Sequence, residues 1–365
     1  MSKKYDFLLV GGGLFNAVFA LEAARTKKRC LVVEKRSNLG GNLYCESIEG
    51  INVHKYGPHI FHTQNEYIWK YMNCLCDFNN FIYSPLANYN DNLYNLPFNM
   101  NTFYQLWGIK TPLEAKRRIA EQQLASSLDE SNLENYALSL VGKDIYETLI
   151  KGYTEKQWGR SAKELPAFII KRIPLRFTFN NNYFNDPYQG IPKGGYNIIF
   201  ERCFKECDVL LNTDFLQNKS LSNLSNAVIY TGMIDEYYNY VYGALEYRSL
   251  RFETTVLDME DFQGIATVNY THINIPYTRI IEHKHFEPKG QMKTVITKEY
   301  PQSWNSTKEP FYPINTIDNQ KRYEKYRQLA NRESNLFFCG RLGSYTYYNM
   351  DQIVMQALEF AKKVL

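Results

Sequence analysis

The chain has 365 residues, 44% hydrophobic and 22% charged, with a net charge of +4. That is ample for a buried core and excludes a disordered chain, and the charge is too small to argue for nucleic acid. The start, MSKKYDFLLVGGG, is no signal peptide, and no stretch reaches the ~20 apolar residues of a membrane span, so a cytoplasmic protein is expected.

Tyr5–Val10 is a short apolar run broken by Gly11-Gly12-Gly13, and from Leu14 to Arg25 apolar side chains recur at helical spacing. Cys30–Glu34 is a second strand ending on an acid, so the chain opens with a parallel βαβ unit of the α/β class. Gln64–Cys76 is predicted helical and Ala87–Leu96 a hairpin. Met100–Ile150 is largely helical, with Pro112 in a first turn and Ser131 or Asn132 as a cap. Asn180–Tyr188 is a polar loop, and Gly194-Gly195-Tyr196 opens a helix to Glu206. Strands Asp208–Leu211 and Ala227–Tyr230 follow, then Phe262–Tyr270, Tyr277–Glu282 and Thr294–Glu299 as a second, largely antiparallel sheet. Helix Asn319–Asn331, strand Leu336–Cys339 and a helix from about Met350 to Leu365 complete the pattern.

The expected division gives a nucleotide-binding domain in three pieces, 1–80, 181–245 and 319–365. A mostly helical insertion occupies 81–180, with a mobile substrate loop near 166–180, and an antiparallel sheet on the substrate side occupies 246–318. Seven cysteines, an odd number with no CxxC pair, read as reduced thiols. No metal site is expected.

Gly11-x-Gly13-x-x-Asn16 stands where the first strand meets the first helix. The first glycine permits the tight turn, the second lets a pyrophosphate approach the backbone, and the helix N-terminus supplies free N–H groups. Glu34 follows Gly13 by 21 residues, where a carboxylate can take both ribose hydroxyls. Asn16 replaces the usual third glycine. FAD is favoured over NAD by three further runs. Arg36-Ser-Asn-Leu-Gly40-Gly41-Asn42 resembles the second glycine motif of FAD proteins of the glutathione-reductase-like and amine-oxidase-like type. Ala227–Gly232 resembles their strand ending in Thr-Gly, and Gly340-Arg341 falls where they close over the flavin.

Gly152-Tyr-Thr-Glu-Lys-Gln-Trp-Gly159 is similar to the signature of bacterial UDP-galactopyranose mutases. So are Tyr56–Thr63, Asn95–Asn101, Ile170–Pro174, Pro276–Arg279, Glu282–Phe286 and Gly340–Tyr345, which together span most of the chain. The resemblance implies an FAD-binding Rossmann-like domain with an inserted helical domain and an antiparallel β-sheet domain. It implies a homodimer that interconverts UDP-galactopyranose and UDP-galactofuranose for cell-surface glycans, with possible action on UDP-N-acetylgalactosamine. Reduced FAD N5 would be the nucleophile at the anomeric carbon, and the protein would position the sugar and stabilise the departing diphosphate.

Residue by residue, the resemblance places uridine at Tyr153, Thr154 and Trp158, and the diphosphate at Arg172 and Arg279, with Arg248 a further cation. Tyr183, Tyr312 and Tyr347 would line the phosphates and sugar, and Asn269 and His59 would lie near galactose and flavin. Arg172, Arg279 and His59 are the candidates closest to the chemistry. Gly11, Gly13, Phe15, Asn16, Glu34, Lys35, Gly41, Asn42, His59, Ile60, Arg341, Met350 and Asp351 would hold the cofactor. Two departures bear on substrate preference: Asn349 stands where the family often has an acid, and Leu149-Ile150 where some relatives have aromatics. A flavin oxidoreductase or a non-catalytic UDP-sugar binder would explain the nucleotide motifs, but the oxidoreductase reading leaves Gly152–Gly159 without a purpose.

Overall fold

The computed structural model describes residues 4–123, 127–171 and 173–365. A five-stranded sheet runs, edge to edge, Leu336–Phe338, Ser225–Tyr230, Tyr5–Val10, Cys30–Val33 and Asp208–Leu210. Every pairing in it is parallel. The inner strands read FLLV, CLVV and VIY because both faces are covered and alternation has no polar side to serve. The helix Leu14–Arg25 begins and ends where its periodicity predicts. It is buried on nearly every side because it lies between that sheet and the last helix, Met350–Val364, where Phe19 and Phe360 meet at 5.7 Å.

A seven-stranded sheet is ordered Tyr312–Pro313, Tyr247–Leu257, Thr294–Ser303, Arg279–Glu282, Thr267–Tyr270, Leu86–Tyr89 and Asn92–Asn95. It is antiparallel except where Thr267–Tyr270 meets Leu86–Tyr89. The predicted hairpin of 87–96 therefore belongs to this sheet. The longest strand, Tyr247–Leu257, goes unread in the sequence, as does the hairpin Cys45–Ile48/Ile51–His54.

The helical insertion packs its own core around Phe103, Leu133, Val141 and Ile145. Its starts are set by side chains. Thr111 and Glu114 form a reciprocal capping box ahead of Pro112–Ala120, and Asn132, not Ser131, caps Leu133–Ile145 by accepting from the Asn135 amide at 2.9 Å. That helix breaks at Gly142, whose φ is +77°. A Cβ there would come within 2.8 Å of Gln122. The chain then widens into a π-helical stretch, Tyr146–Lys151, and tightens again into Gly152–Trp158.

Five of the cysteines, 30, 45, 76, 203 and 339, are buried, and all seven are free. Among the described residues no helix is long and apolar enough to cross a membrane.

Candidate active site

A cavity of about 290 Å³ opens at the carboxyl ends of the parallel strands. It lies where open α/β sheets place their ligands. Gly11, at φ +100°, turns the chain there. Gly13 has open space where a side chain would be, and a Cβ on Gly41 would stand 3.2 Å from the Gly13 Cα. These glycines leave room for a diphosphate against the backbone. The Glu34 carboxylate accepts from the Gly12 amide at 2.6 Å and the Arg36 amide at 2.8 Å, which fixes its orientation at the cavity wall. Two polar atoms at this cavity, His59 Nδ1 and Arg36 Nη1, are buried without a partner. Unpaired buried donors and acceptors are costly, and a bound dinucleotide would satisfy them; the residues present fit a flavin.

Ten of the predicted cofactor residues line the cavity: Gly11, Gly13, Phe15, Glu34, Lys35, Gly41, Asn42, His59, Arg341 and Met350. Three stand behind it. Asn16 turns inward and donates from Nδ2 to the carbonyls of Val10, at 3.0 Å, and Gly11, at 2.8 Å. In place of a third glycine it thus fastens the helix to the strand. Ile60 packs with Tyr83, Ile191 and Phe286. Asp351 accepts from Thr63 Oγ1 at 3.0 Å, which ties the last helix to the strand Phe61–Thr63. Asn349 precedes that helix, and its amide donates to Gln352 at 2.8 Å. It is the N-cap residue of that helix, a position that suits Asn. Arg36 and Glu309 line the cavity unpredicted and form an ion pair at 3.0 Å. Arg36 was visible in the glycine-rich run, but its direction was not.

Beside this cavity the predicted substrate residues come together. The guanidinium of Arg341 lies 4.7 Å over Tyr347, Tyr347 is 5.5 Å from Tyr312, and Tyr312 is 6.3 Å from Trp158. Arg279 Nη2 donates to the Tyr153 hydroxyl at 2.5 Å. Asn269 and Arg279 are direct partners across two antiparallel strands. Tyr183 meets Tyr83 edge-on at 5.4 Å. Tyr83 was not foreseen, and the charge of Arg279 tempers the burial that pushes its hydroxyl up to about 12. Thr154 is buried on the inner side of its helix. Arg172 lies outside the described residues.

Arg248 is buried against protein. Its Nε donates to the Gln157 carbonyl at 2.9 Å, and Nη2 and Nη1 reach the Lys156 carbonyl and Ser303 Oγ at 3.3 Å each. It satisfies the open carbonyl end of the helix Gly152–Trp158. It thereby holds the end of the helix that carries Tyr153 and Trp158.

His59 joins the two halves. Burial first, then the charge of Arg341 and more weakly that of Arg279, lower its pKa to about 4. The imidazole at the cofactor cavity is therefore neutral at pH 7. Away from this site, Asp261, Glu282 and His285 bring ligand atoms within 4.8 Å of one another. Glu282 already accepts from the amides of Phe262 and Gln263 and from Thr294 Oγ1 at 2.6–2.9 Å, so the group is satisfied internally.

Comparison with known proteins agrees with this arrangement. A family model for UDP-galactopyranose mutase matches residues 148–347, and one for an NAD(P)-binding Rossmann-like domain matches residues 9–75. The chain is 38% identical to a probable UDP-galactopyranose mutase of Klebsiella pneumoniae, over 99% of this chain and 94% of that one. It is 36% identical to a dTDP-fucopyranose mutase of Escherichia coli, over 97% of each. Its fold superposes on a crystal structure of reduced UDP-galactopyranose mutase with a TM-score of 0.78 at 15% identity, covering 99% of this chain and 93% of the other. A putative protoporphyrinogen oxidase from Exiguobacterium superposes with a TM-score of 0.68 at 13% identity, covering 100% and 99%, so the fold alone does not separate mutase from oxidase. The separation comes from the family model and the sequence relatives, which place this flavin-dependent isomerase in the UDP-galactopyranose mutase family.

Proposed function

We infer that the chain interconverts UDP-galactopyranose and UDP-galactofuranose with FAD in the glycine-lined cavity. The observation that supports this most directly is the placement of His59, which lines the dinucleotide cavity and whose pKa the charges of Arg341 and Arg279 both lower. His59 would help to hold the flavin, and Arg279 the diphosphate of the substrate. Reduced flavin, when bound, supplies an electron-rich N5 as the nucleophile for the anomeric carbon. No electrons are consumed between the two sugar forms, so the reaction needs no terminal oxidant.

The protein's own residues have four tasks in this reading. Trp158, with Tyr153 on the same helix, offers an aromatic surface to uracil. Arg279, with Arg172 proposed beside it, stabilises the charge that develops on the leaving diphosphate. Its Glu299 partner, 3.3 Å from Nε, keeps it charged inside the protein. Asn269, whose buried Oδ1 has no partner, and Tyr183 serve the sugar. His59, being neutral, is an orienting hydrogen-bond group and not a proton donor of the imidazolium type. A homodimer and a cytoplasmic site of action complete the proposal.

The test is direct. Purified protein should be yellow, should release FAD on denaturation, and should convert UDP-galactopyranose to UDP-galactofuranose only after dithionite reduction. Equal turnover by the oxidised protein, or peroxide release with an amine substrate, would reject the reading. Assays beside dTDP-fucopyranose and UDP-N-acetylgalactosamine establish the sugar. Preference for dTDP-fucopyranose would keep the reaction type and overturn the substrate.

A further inference from the structure

The two surfaces proposed to grip the substrate come from distant parts of the chain. Tyr153 and Trp158 are on the helix Gly152–Trp158, while Asn269 and Arg279 are on paired strands joined by residues 271–278. A single lysine ties the helix to that connection. Lys156 Nζ donates to four backbone carbonyls of the connection: Tyr270 at 2.6 Å, His272 at 2.9 Å, Ile275 at 3.0 Å and Tyr277 at 3.0 Å. An ammonium has three N–H groups, so four acceptors at these distances enclose it as a carbonyl cage encloses a monovalent cation. Among the described residues no ion pair reaches it. Burial draws its pKa down to about 8.

The helix and the connection also touch without side chains. A Cβ on Gly152 would lie 2.3 Å from the Thr271 carbonyl oxygen. Thr271 Oγ1 donates back to the Thr148 carbonyl at 2.7 Å. On the other flank Arg248 holds the carbonyls of Lys156 and Gln157. The helix thus hangs between two cations that bind main-chain oxygen and not carboxylate.

We propose that Lys156 is a positioning residue for the mutase reaction: its four-carbonyl cage shapes the connection between Asn269 and Arg279 and registers those residues against Tyr153 and Trp158. This rests on the reading of Arg279 and Trp158 as the substrate grip. Loss of the ammonium leaves a pocket of carbonyl oxygens with no donor, which must open to water and carry the strand ends with it.

The experiment uses the flavin-loaded full chain and UDP as the probe, titrated calorimetrically, with kcat and KM read on UDP-galactopyranose. Lys156→Ala should keep its flavin spectrum, bind UDP about tenfold more weakly and lose more in kcat/KM than in kcat. Methylammonium or ethylammonium should restore part of the UDP affinity by refilling the cage, and tetramethylammonium, which has no N–H, should not. UDP affinity within twofold of the parent overturns the proposal, and so does weakened affinity that no primary amine restores. Should Lys156→Ala not accumulate as folded protein, Lys156→Arg takes its place, since a guanidinium keeps the charge but cannot be enclosed by the same four oxygens. There, at least fivefold weaker UDP binding supports the proposal and parental affinity overturns it. A parent protein that binds no UDP, or whose affinity is indifferent to Arg279→Ala, would reject the site reading itself and not this role of Lys156.

Discussion

Glu299 stands directly behind Arg279. Its carboxylate is 1% exposed and lies 3.3 Å from the guanidinium Nε, while the far side of the same guanidinium, at Nη2, reaches the Tyr153 hydroxyl. Burial works against the arginine's charge, and Glu299 together with the hydroxyls of Tyr153, Tyr83 and Tyr312 outweighs it, so Arg279 is held well above its ordinary pKa. Breaking a buried pair by removing one partner costs about 3–5 kcal/mol. Glu299→Gln should therefore lower the free energy of urea unfolding at pH 7.5 by a value of that order. An unchanged midpoint would show that the pair is not shielded from water.

Arg279→Ala should leave FAD bound and turnover depressed. A charge-assisted hydrogen bond contributes about 1.5–3 kcal/mol, which is one to two decades in rate. Arg172→Ala should behave alike. Flavin content by absorbance and kcat by chromatography of the sugar nucleotides separate the two effects. If both variants lose the cofactor, the division between cofactor and substrate residues is wrong.

Trp158→Ala should act mainly on binding. An aromatic surface for uracil contributes about 1 kcal/mol or somewhat more. The Kd for UDP should rise roughly fivefold while kcat at saturation stays within a factor of about two. A collapse of kcat with unchanged Kd would place uracil elsewhere.

The acid limb of stability should come from buried imidazoles. Burial lowers the pKa of His283 to about 3 and that of His59 to about 4, from an ordinary 6.5. Below pH 6.5 the unfolded chain takes up protons that the folded chain refuses, so stability is complete above 6.5 and falls as pH drops toward 4 and 3. Between pH 7.5 and pH 5 the loss should be roughly 2 kcal/mol for each imidazole. Urea unfolding at the two pH values measures it. A flat profile would mean that these rings protonate freely in the native protein.

Much of the architecture was legible. The turn at Gly11, the helix from Leu14 and the strand ending at Glu34 obey local rules, because glycine conformation and hydrophobic period act over a few residues. Tyr247–Leu257 escaped for a physical reason. Its first four residues are buried together, Arg248 among them, and its second half is mostly exposed, so no alternation marks it. The hairpin at Glu49-Gly50 is closed by positive φ at both residues, a weak signal beside the glycine motif before it. In the site, aromatic and cationic residues were found through their resemblance to a family motif. Lys156 lay inside that motif and drew no notice, because a lysine ordinarily reads as solvated. Its acceptors are main-chain oxygens 114–121 residues away, and no side-chain pattern encodes them. Arg248 was recognised as a cation, but its nearest partners are carbonyls of a helix end, which sequence does not display.

The parallel sheet has its first-made strand at its centre and its last-made strand, Leu336–Phe338, at an edge. The pocket it supports is lined by Gly11 and Gly13 near the start of the chain and by Arg341 and Met350 beyond that edge strand. The glycine turn is therefore synthesised long before Arg341 and Met350, which line the same pocket. A chain arrested before residue 336 should therefore bind no flavin, however well its helical insertion has folded, and flavin absorbance of the truncated product checks this.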